Sequence, residues 1–400
     1  MARLIDITGN ALSGEWGSDD ETGNGILVLR TTNFTNNGII DYNNVVTRTI
    51  TKKNISNKFL KNGDIIIEKS GGSDKQPVGR VVYFDGSENT YLFNNFTGLL
   101  RVKDIIKWVP KYVFYSLFYN YKIGGTKNFE NRTTGLHNLK LEAYISSYEV
   151  RDIEVRKQEE ICDILDKLFK IIVLRQEELQ KLDDLIKARF VELFGDPQIN
   201  PFGWNVVNIS KVVCGRVSNG FFAKRDDYVD DGNVSILGVA NIVNRMYSKV
   251  DELPRTNADN KDIEKFEVKY GDMLFCRSSL VAEGIGKASI IPENIKENVL
   301  FECHIIRLPL DLNKCVPEFI QTLSTLEYFR NQVIAQSKTA TMTTIGQDGI
   351  LKTDIILPPI DKQREFYDFV KQVDKSKVVV QKALEETQLL FDSLMQEYFG

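Results

Sequence analysis

The chain is poor in the residues that metal and covalent chemistry most often use. Of its 400 residues only two are histidine, His137 and His304. Two imidazoles leave little material for a histidine-based metal site or a Ser-His-Asp arrangement. Five cysteines (Cys162, Cys214, Cys276, Cys303 and Cys315) form no CxxC pair, so a zinc site or a disulfide framework lacks its spacing and reduced structural thiols are expected. Long apolar runs are missing too. None approaches the roughly 18 residues that cross a bilayer, and the start, "MARLIDITGN", lacks the charged-then-apolar run of a signal peptide. A cytoplasmic protein with no membrane partner is expected. Nor is there a cationic excess: 51 Lys+Arg stand against 55 Asp+Glu, a net charge of −4, whereas a nucleic-acid partner demands cations.

What is present is an ordinary globular composition, 42% hydrophobic and 26% charged, at a length that calls for at least two domains. The charge is unevenly spread. Between Arg48 and Arg132 the chain carries 15 basic residues and 7 acidic ones, so a local basic surface is available in the first half.

The chain also repeats itself. "KNGDIIIEKSGGSDKQPVGRVVYFD" (Lys61 to Asp85) and "KYGDMLFCRSSLVAEGIGKASIIPE" (Lys269 to Glu293) both open on Gly-Asp, run through an apolar strand-like segment and cross a Ser/Gly-rich turn with basic residues; they close on Gly-Arg or Gly-Lys and a second apolar run. The match extends outwards. Leu29 and Asn33 correspond to Leu237 and Asn241 at an offset of 208, "VPKYV" (Val109 to Val113) to "VPEFI" (Val316 to Ile320) at 207, and Lys157-Gln158 to Lys362-Gln363 at 205. An offset that drifts by three residues across the unit is what duplication with small loop indels produces, and its length excludes a short-period solenoid.

Each copy has two parts. The first is β-rich, with short apolar runs between Gly/Asn/Asp/Ser turns and one helix starting near Pro110 or Pro317. The aromatic run "YVFYSLFYNY" on that helix has the spacing of core. The second part is one long helix. Ile161, Leu165, Leu168, Ile172, Leu179, Leu182, Ile186 and Leu193 follow the alternating steps of four and three that mark the a/d seam of a coiled coil; Phe366, Val370, Val373, Val380, Leu384, Phe391, Leu394 and Tyr398 repeat it. Polar seam positions fall at Arg175 and Arg189 in one copy and at Lys377 and Thr387 in the other. Two apolar stripes of this kind bury one another when the helices pair. Antiparallel pairing puts a β-rich part at each end, related by a pseudo-twofold axis: an α+β dumbbell with the geometry to recognise two sites a fixed distance apart.

At this point the sequence resembles the specificity subunit of type I restriction-modification enzymes over its whole length. The residues that carry the resemblance are the doubled module, the Gly-Asp strand openings at Gly63 and Gly271, "ILKTDIILPPIDKQREF" (Ile350 to Phe366) with its counterpart "LKLEAYISSYEVRDIEVRKQEEI", and the helix ends "FVELFGDP" and "LMQEYFG". The first copy departs from the pattern: "IEVRKQ" lacks both prolines. The resemblance implies two homologous target recognition domains, residues 1–156 and 196–360, each reading one half of a bipartite site in double-stranded DNA. Two long antiparallel coiled-coil helices, residues 157–195 and 361–400, would set the spacing and dock two methyltransferase subunits, with restriction subunits assembled on those. It also implies a non-catalytic chain without a cofactor, S-adenosylmethionine being held by the methyltransferase partners.

The residues agree with that absence of chemistry. There is no glycine-rich S-adenosylmethionine loop and no Asn/Asp-Pro-Pro-aromatic motif, and "GIGKAS" (Gly284 to Ser289) does not satisfy the phosphate-loop pattern. Base reading needs paired donors and acceptors on loops flanked by cations. In the first copy such loops offer Lys69, Ser70, Lys75, Gln76 and Arg80, then Lys122, Lys127, Asn128, Arg132, Thr133 and His137. In the second they offer Arg277, Ser278 and Lys287, then Gln336, Ser337, Lys338, Thr339 and Thr341. Arg30 to Asn33 and Asn241 are weaker candidates, and His304 in "ECHIIRL" is expected to be a satisfied strand residue. A protein-binding adaptor is the competing reading, against which the basic surplus between Arg48 and Arg132 counts. A duplicated β-rich enzyme lacks paired catalytic groups at matching positions.

Overall fold

The landmarks that recur along the chain are the residues that close its turns. The computed structural model describes residues 1–73, 76–133 and 136–400. Gly63 and Gly271 take left-handed backbones, φ +93° and +83°, which glycine adopts without a Cβ penalty. The aspartates that follow accept the backbone N–H three residues upstream, Asp64 from Lys61 at 2.7 Å and Asp272 from Lys269 at 2.9 Å. Asn33 and Asn241 close the next turn in the same way in both copies, each accepting from the N–H three residues before it, Arg30 or Gly238.

The chain divides into two compact units, Met1–Gln176 with Lys382–Gly400, and Glu177–Gln381. In the first, a four-stranded antiparallel sheet runs in the order Leu12–Ser13, Thr97–Leu100, Ile65–Glu68, Val81–Tyr83. The second has the corresponding sheet: Ser218–Asn219, Ile305–Pro309, Asp272–Cys276, Ala288–Ile290. A further sheet in each unit contains one parallel pair, Ile26–Leu29 on Tyr91–Phe93 and Val234–Leu237 on Val299–Phe301. The α+β class expected of two homologous β-rich domains with long helices is the one observed.

A helix follows each sheet with proline in its first turn, Pro110–Lys122 and Pro317–Thr325. Tyr112, Phe114, Tyr115 and Phe118 are buried in the first unit's core, as their spacing predicts. The second of these helices is shorter than its counterpart. The Ser324 and Thr325 hydroxyls bond back to Gln321 O (2.6 Å) and Thr322 O (2.7 Å), a local alternative to the helical ladder; Leu326 is extended and a new helix, Glu327–Ala335, begins.

The long helices run Val155–Phe194 and Ile360–Phe399. In the first unit Ile161, Leu165 and Ile172 share one core with Phe391, Leu394, Met395 and Tyr398. In the second, Leu182, Ile186, Phe190 and Phe194 pack with Phe366, Val370 and Val373. Asp183 meets Lys377 at 2.6 Å and Arg189 meets Glu365 at 3.3 Å, so the segments run antiparallel within that unit. All sixteen apolar seam positions are buried or half-buried.

Each long helix is tied to the Pro-started helix of its own copy by a fully buried glutamine. Gln158 accepts from Val109 N–H and donates to the carbonyls of Lys107 and Ile153. Gln363 accepts from Val316 N–H and donates to Pro358 O. These are the glutamines of the recurring Lys-Gln pair. All five cysteines are free, and burial pushes the Cys162 and Cys315 thiols up to about 12. Among the described residues no helix is long and apolar enough to cross a membrane, and no His/Cys/Asp/Glu group could hold a metal ion.

Candidate nucleic-acid interface

In each unit the two loop regions that carry candidate residues come together in one small sheet. In the first unit Ser70–Gly72 pairs antiparallel with Leu136–Leu139, which pairs with Glu130–Thr133. In the second, Ser278–Ser279 pairs with Thr343–Thr344, which pairs with Lys338–Thr339. Both are anchored by the same backbone bond at an offset of 208: Lys69 N–H to Phe96 O (2.7 Å) and Arg277 N–H to His304 O (2.8 Å).

In the first unit the Ser70 hydroxyl donates to Asn138 Oδ1 at 2.5 Å, and half-buried Lys69 reaches Ser13 Oγ at 3.0 Å. Desolvation, then the nearby Lys58 charge, lowers the Lys69 ammonium from its usual range. Gln76 donates to Asn36 Oδ1. Lys127 and Asn128 are exposed on the turn beside the sheet, and Lys122 lies at the end of its helix with its ammonium over the Phe118 ring. Arg132 and Thr133 belong to the strand Glu130–Thr133; Lys75 lies outside the described residues.

His137 does not sit in a polar loop. It is a strand residue, 9% exposed, with Nδ1 3.3 Å from Glu130 Oε2, because Leu136–Leu139 pairs with Glu130–Thr133 on one side and Ser70–Gly72 on the other, which turns the ring inward. Arg80 also faces inward. Its guanidinium donates to Phe34 O, Thr31 O and Glu68 Oε1, and burial raises the Glu68 carboxyl above its usual range despite that partner. Lys287, its counterpart, donates to Asn244 Oδ1 at 2.8 Å, away from the small sheet. Asn33 is buried in its turn, and Asn241 closes the equivalent one.

In the second unit Arg277 donates to Cys303 O, and Gln336, Lys338, Thr339 and Thr341 are exposed. The hydroxyls of Thr339 and Thr343 lie 3.0 Å apart, and Ser337 donates to Ile334 O. His304 departs from its expected role. It is exposed in the turn before Ile305–Pro309, with Nδ1 2.7 Å from Ser278 Oγ. Its counterpart at the same offset is Phe96, 49% exposed. A strand pattern that resumes directly after each places His304 in the strand on sequence alone and passes over Phe96; their shared position in the duplication was the available signal. Leu280, 81% exposed, stands just beyond Ser279.

A short antiparallel ribbon has the width to enter a major groove, and hydroxyl, amide and imidazole groups can match base-edge donors and acceptors while lysine and arginine meet phosphate. The two ribbons share a backbone frame and differ in what they present.

The sequence matches the family described as Type I restriction modification DNA specificity domain twice, at residues 8–184 and 201–387. Among solved structures, the type I restriction-modification S subunit from M. genitalium is similar at 12% identity and a TM-score of 0.53, over 100% of this chain and 95% of that one, which is a likeness of fold. A chain from a study of complex assembly and conformational transition in a type I R-M system matches at 15% identity and a TM-score of 0.49, over 100% of this chain and 96% of that one. No curated protein matches.

Proposed function

This chain belongs to the type I restriction-modification DNA specificity family, and on that premise we propose that it directs a methyltransferase and restriction complex to a bipartite site in double-stranded DNA, in the cytoplasm, without performing chemistry itself. The observation that carries the reading is the pair of small ribbon sheets. Each is built from the same two stretches of its copy on the same anchor bond, and each presents different groups: Lys69, Ser70 and Phe96 in one, Ser278, His304 and Lys338 in the other. Two readers with one frame and two surfaces suit two different half-sites.

The long helices set the gap between half-sites and dock two methyltransferase subunits, which carry S-adenosylmethionine and support the restriction subunits. Apolar side chains left on the helices' outer faces support this role. Ile171 (41% exposed), Leu174 (51%) and Leu389 (70%) stand out in the first unit, and Val378 (68%) and Val379 (69%) in the second. Exposed apolar side chains mark a partner surface where they adjoin, as Ile171 with Leu174 one turn on and Val378 with Val379 do along their helices.

Co-expression with the methyltransferase subunit encoded beside it, followed by single-molecule mapping of methylated bases in host DNA, tests the proposal. One motif of two short half-sites around a fixed gap is expected. A stable complex that methylates no motif would contradict it.

A further inference from the structure

Both units carry a groove between the Pro-started helix, the loop near Gly38 or Met246, and a long helix, and they fill it differently. The correspondence is set by equivalent hydrogen bonds: Tyr83 N–H donates to Gly38 O at 3.1 Å, Ile290 N–H to Met246 O at 2.8 Å. In the first unit Phe114, Tyr115, Phe118, Phe169 and Phe391 line what remains, a cavity of about 170 Å³. The repeat offsets of 207 and 205 put Gln321, Thr322, Thr325, Asp374 and Ile186 at those places in the second unit. With five rings exchanged for smaller or polar side chains, the second unit has a cavity of about 530 Å³, within the size range of small-molecule sites.

The walls are cationic. Lys187, Arg245, Lys287 and Arg330 line the cavity, and of the two acids beside it, Asp183 in the wall and half-buried Asp374, the Asp183 carboxylate is already met by Lys377 Nζ at 2.6 Å. Two lining residues carry buried polar atoms without a hydrogen-bond partner, Thr322 Oγ1 and Arg330 Nη1. Orphaned buried donors are rare in folded proteins and call for an explanation. Arg330 Nη2 donates to Glu283 O at 3.0 Å, which holds the guanidinium in place. Its counterpart in the first unit is Ile123, so the cation is particular to this copy. Burial lowers the Arg330 guanidinium from its usual range, a penalty that an anion would relieve.

We propose that this cavity binds a phosphate-bearing small molecule of mononucleotide size, the phosphate held by Arg330 and Lys287 and the remainder by the amides and hydroxyls of Asn244, Gln321 and Thr322. The site is separate from the ribbon sheet of its unit and does not depend on that sheet reading DNA. The chemistry is a charge-assisted grip on phosphate oxygens, which a free nucleotide or a DNA phosphate can supply.

Calorimetric titration of the full chain with inorganic phosphate, AMP and ATP tests it. The nucleotides are expected to bind. Lys287→Met should weaken them about tenfold or more, the scale of one lost charge-assisted bond, and Thr322→Tyr with Thr325→Phe, restoring rings of the kind the first unit carries, should abolish binding while the melting temperature holds. A short DNA duplex added to the nucleotide complex separates the sources: displacement assigns the grip to a DNA phosphate and co-binding assigns it to a free ligand, each supporting the site. No binding of any phosphate probe at millimolar concentration overturns it, as does binding that Lys287→Met leaves unchanged.

Discussion

At Gly220 there is no room for a side chain: a Cβ there would stand 2.2 Å from the carbonyl oxygens of both Phe301 and Glu302. Gly14 meets the same limit in the first unit, 2.1 Å from Asn94 O and 2.3 Å from Phe93 O. Backbone must move to admit even a methyl group, so Gly220→Ala is expected to lower stability by roughly 2 kcal/mol or more, read as a shift in the urea midpoint. Asp272 is the other residue with a definite consequence. Desolvation raises its carboxyl from an ordinary 3.8 to about 6, against the lowering effects of its bond from Lys269 N–H and of Arg307. The folded pKa exceeds the unfolded one, so between those values the folded state keeps a proton that the unfolded state has lost. The contribution therefore favours folding below about pH 4 and is lost as pH rises through about 6, a change of roughly 3 kcal/mol. Asp272→Asn keeps an acceptor for Lys269 and removes the buried charge. Its urea midpoint should match wild type near pH 4 and exceed it at pH 7; an offset that does not vary with pH would contradict the assignment.

The elements are joined by few polar residues, and the buried glutamines are the clearest. Gln363→Ala leaves the Val316 N–H without its acceptor and Pro358 O without a donor, and the loss of a buried partner costs about 1–3 kcal/mol. A lower melting temperature with DNA recognition kept is the expected outcome, and Gln158→Ala should behave alike. The recurrence of the Lys-Gln pair was legible in the sequence; its role was not, because the partner lies 47 residues away in the second copy and 49 in the first. The helix seam was legible throughout, since heptad spacing and burial report the same periodicity. The ribbon sheets were half legible. Their residues stood out as polar loops, but pairing Ser70 with Asn138 or Ser278 with Thr344 requires contacts across more than 60 residues that no local pattern encodes. For the same reason Arg80 looked available for phosphate although tertiary carbonyls accept from both of its terminal nitrogens.

Across the molecule, duplication explains why one frame appears twice and where its copies have diverged. Turn-closing residues such as Gly63 and Gly271 keep their place, whereas the ribbon surfaces and the groove beside each Pro-started helix differ. On the proposed function, divergence at a ribbon should alter one half of the recognised sequence and leave untouched the gap, which the helices are proposed to set. The most direct measurement replaces Ser278, His304 and Lys338 together by alanine in the chain co-expressed with its methyltransferase partner, and maps methylated bases. The account predicts that one half-site is relaxed or lost from the motif while the other half-site and the spacing stay as in wild type. An unchanged motif, or changes in both halves at once, would contradict it.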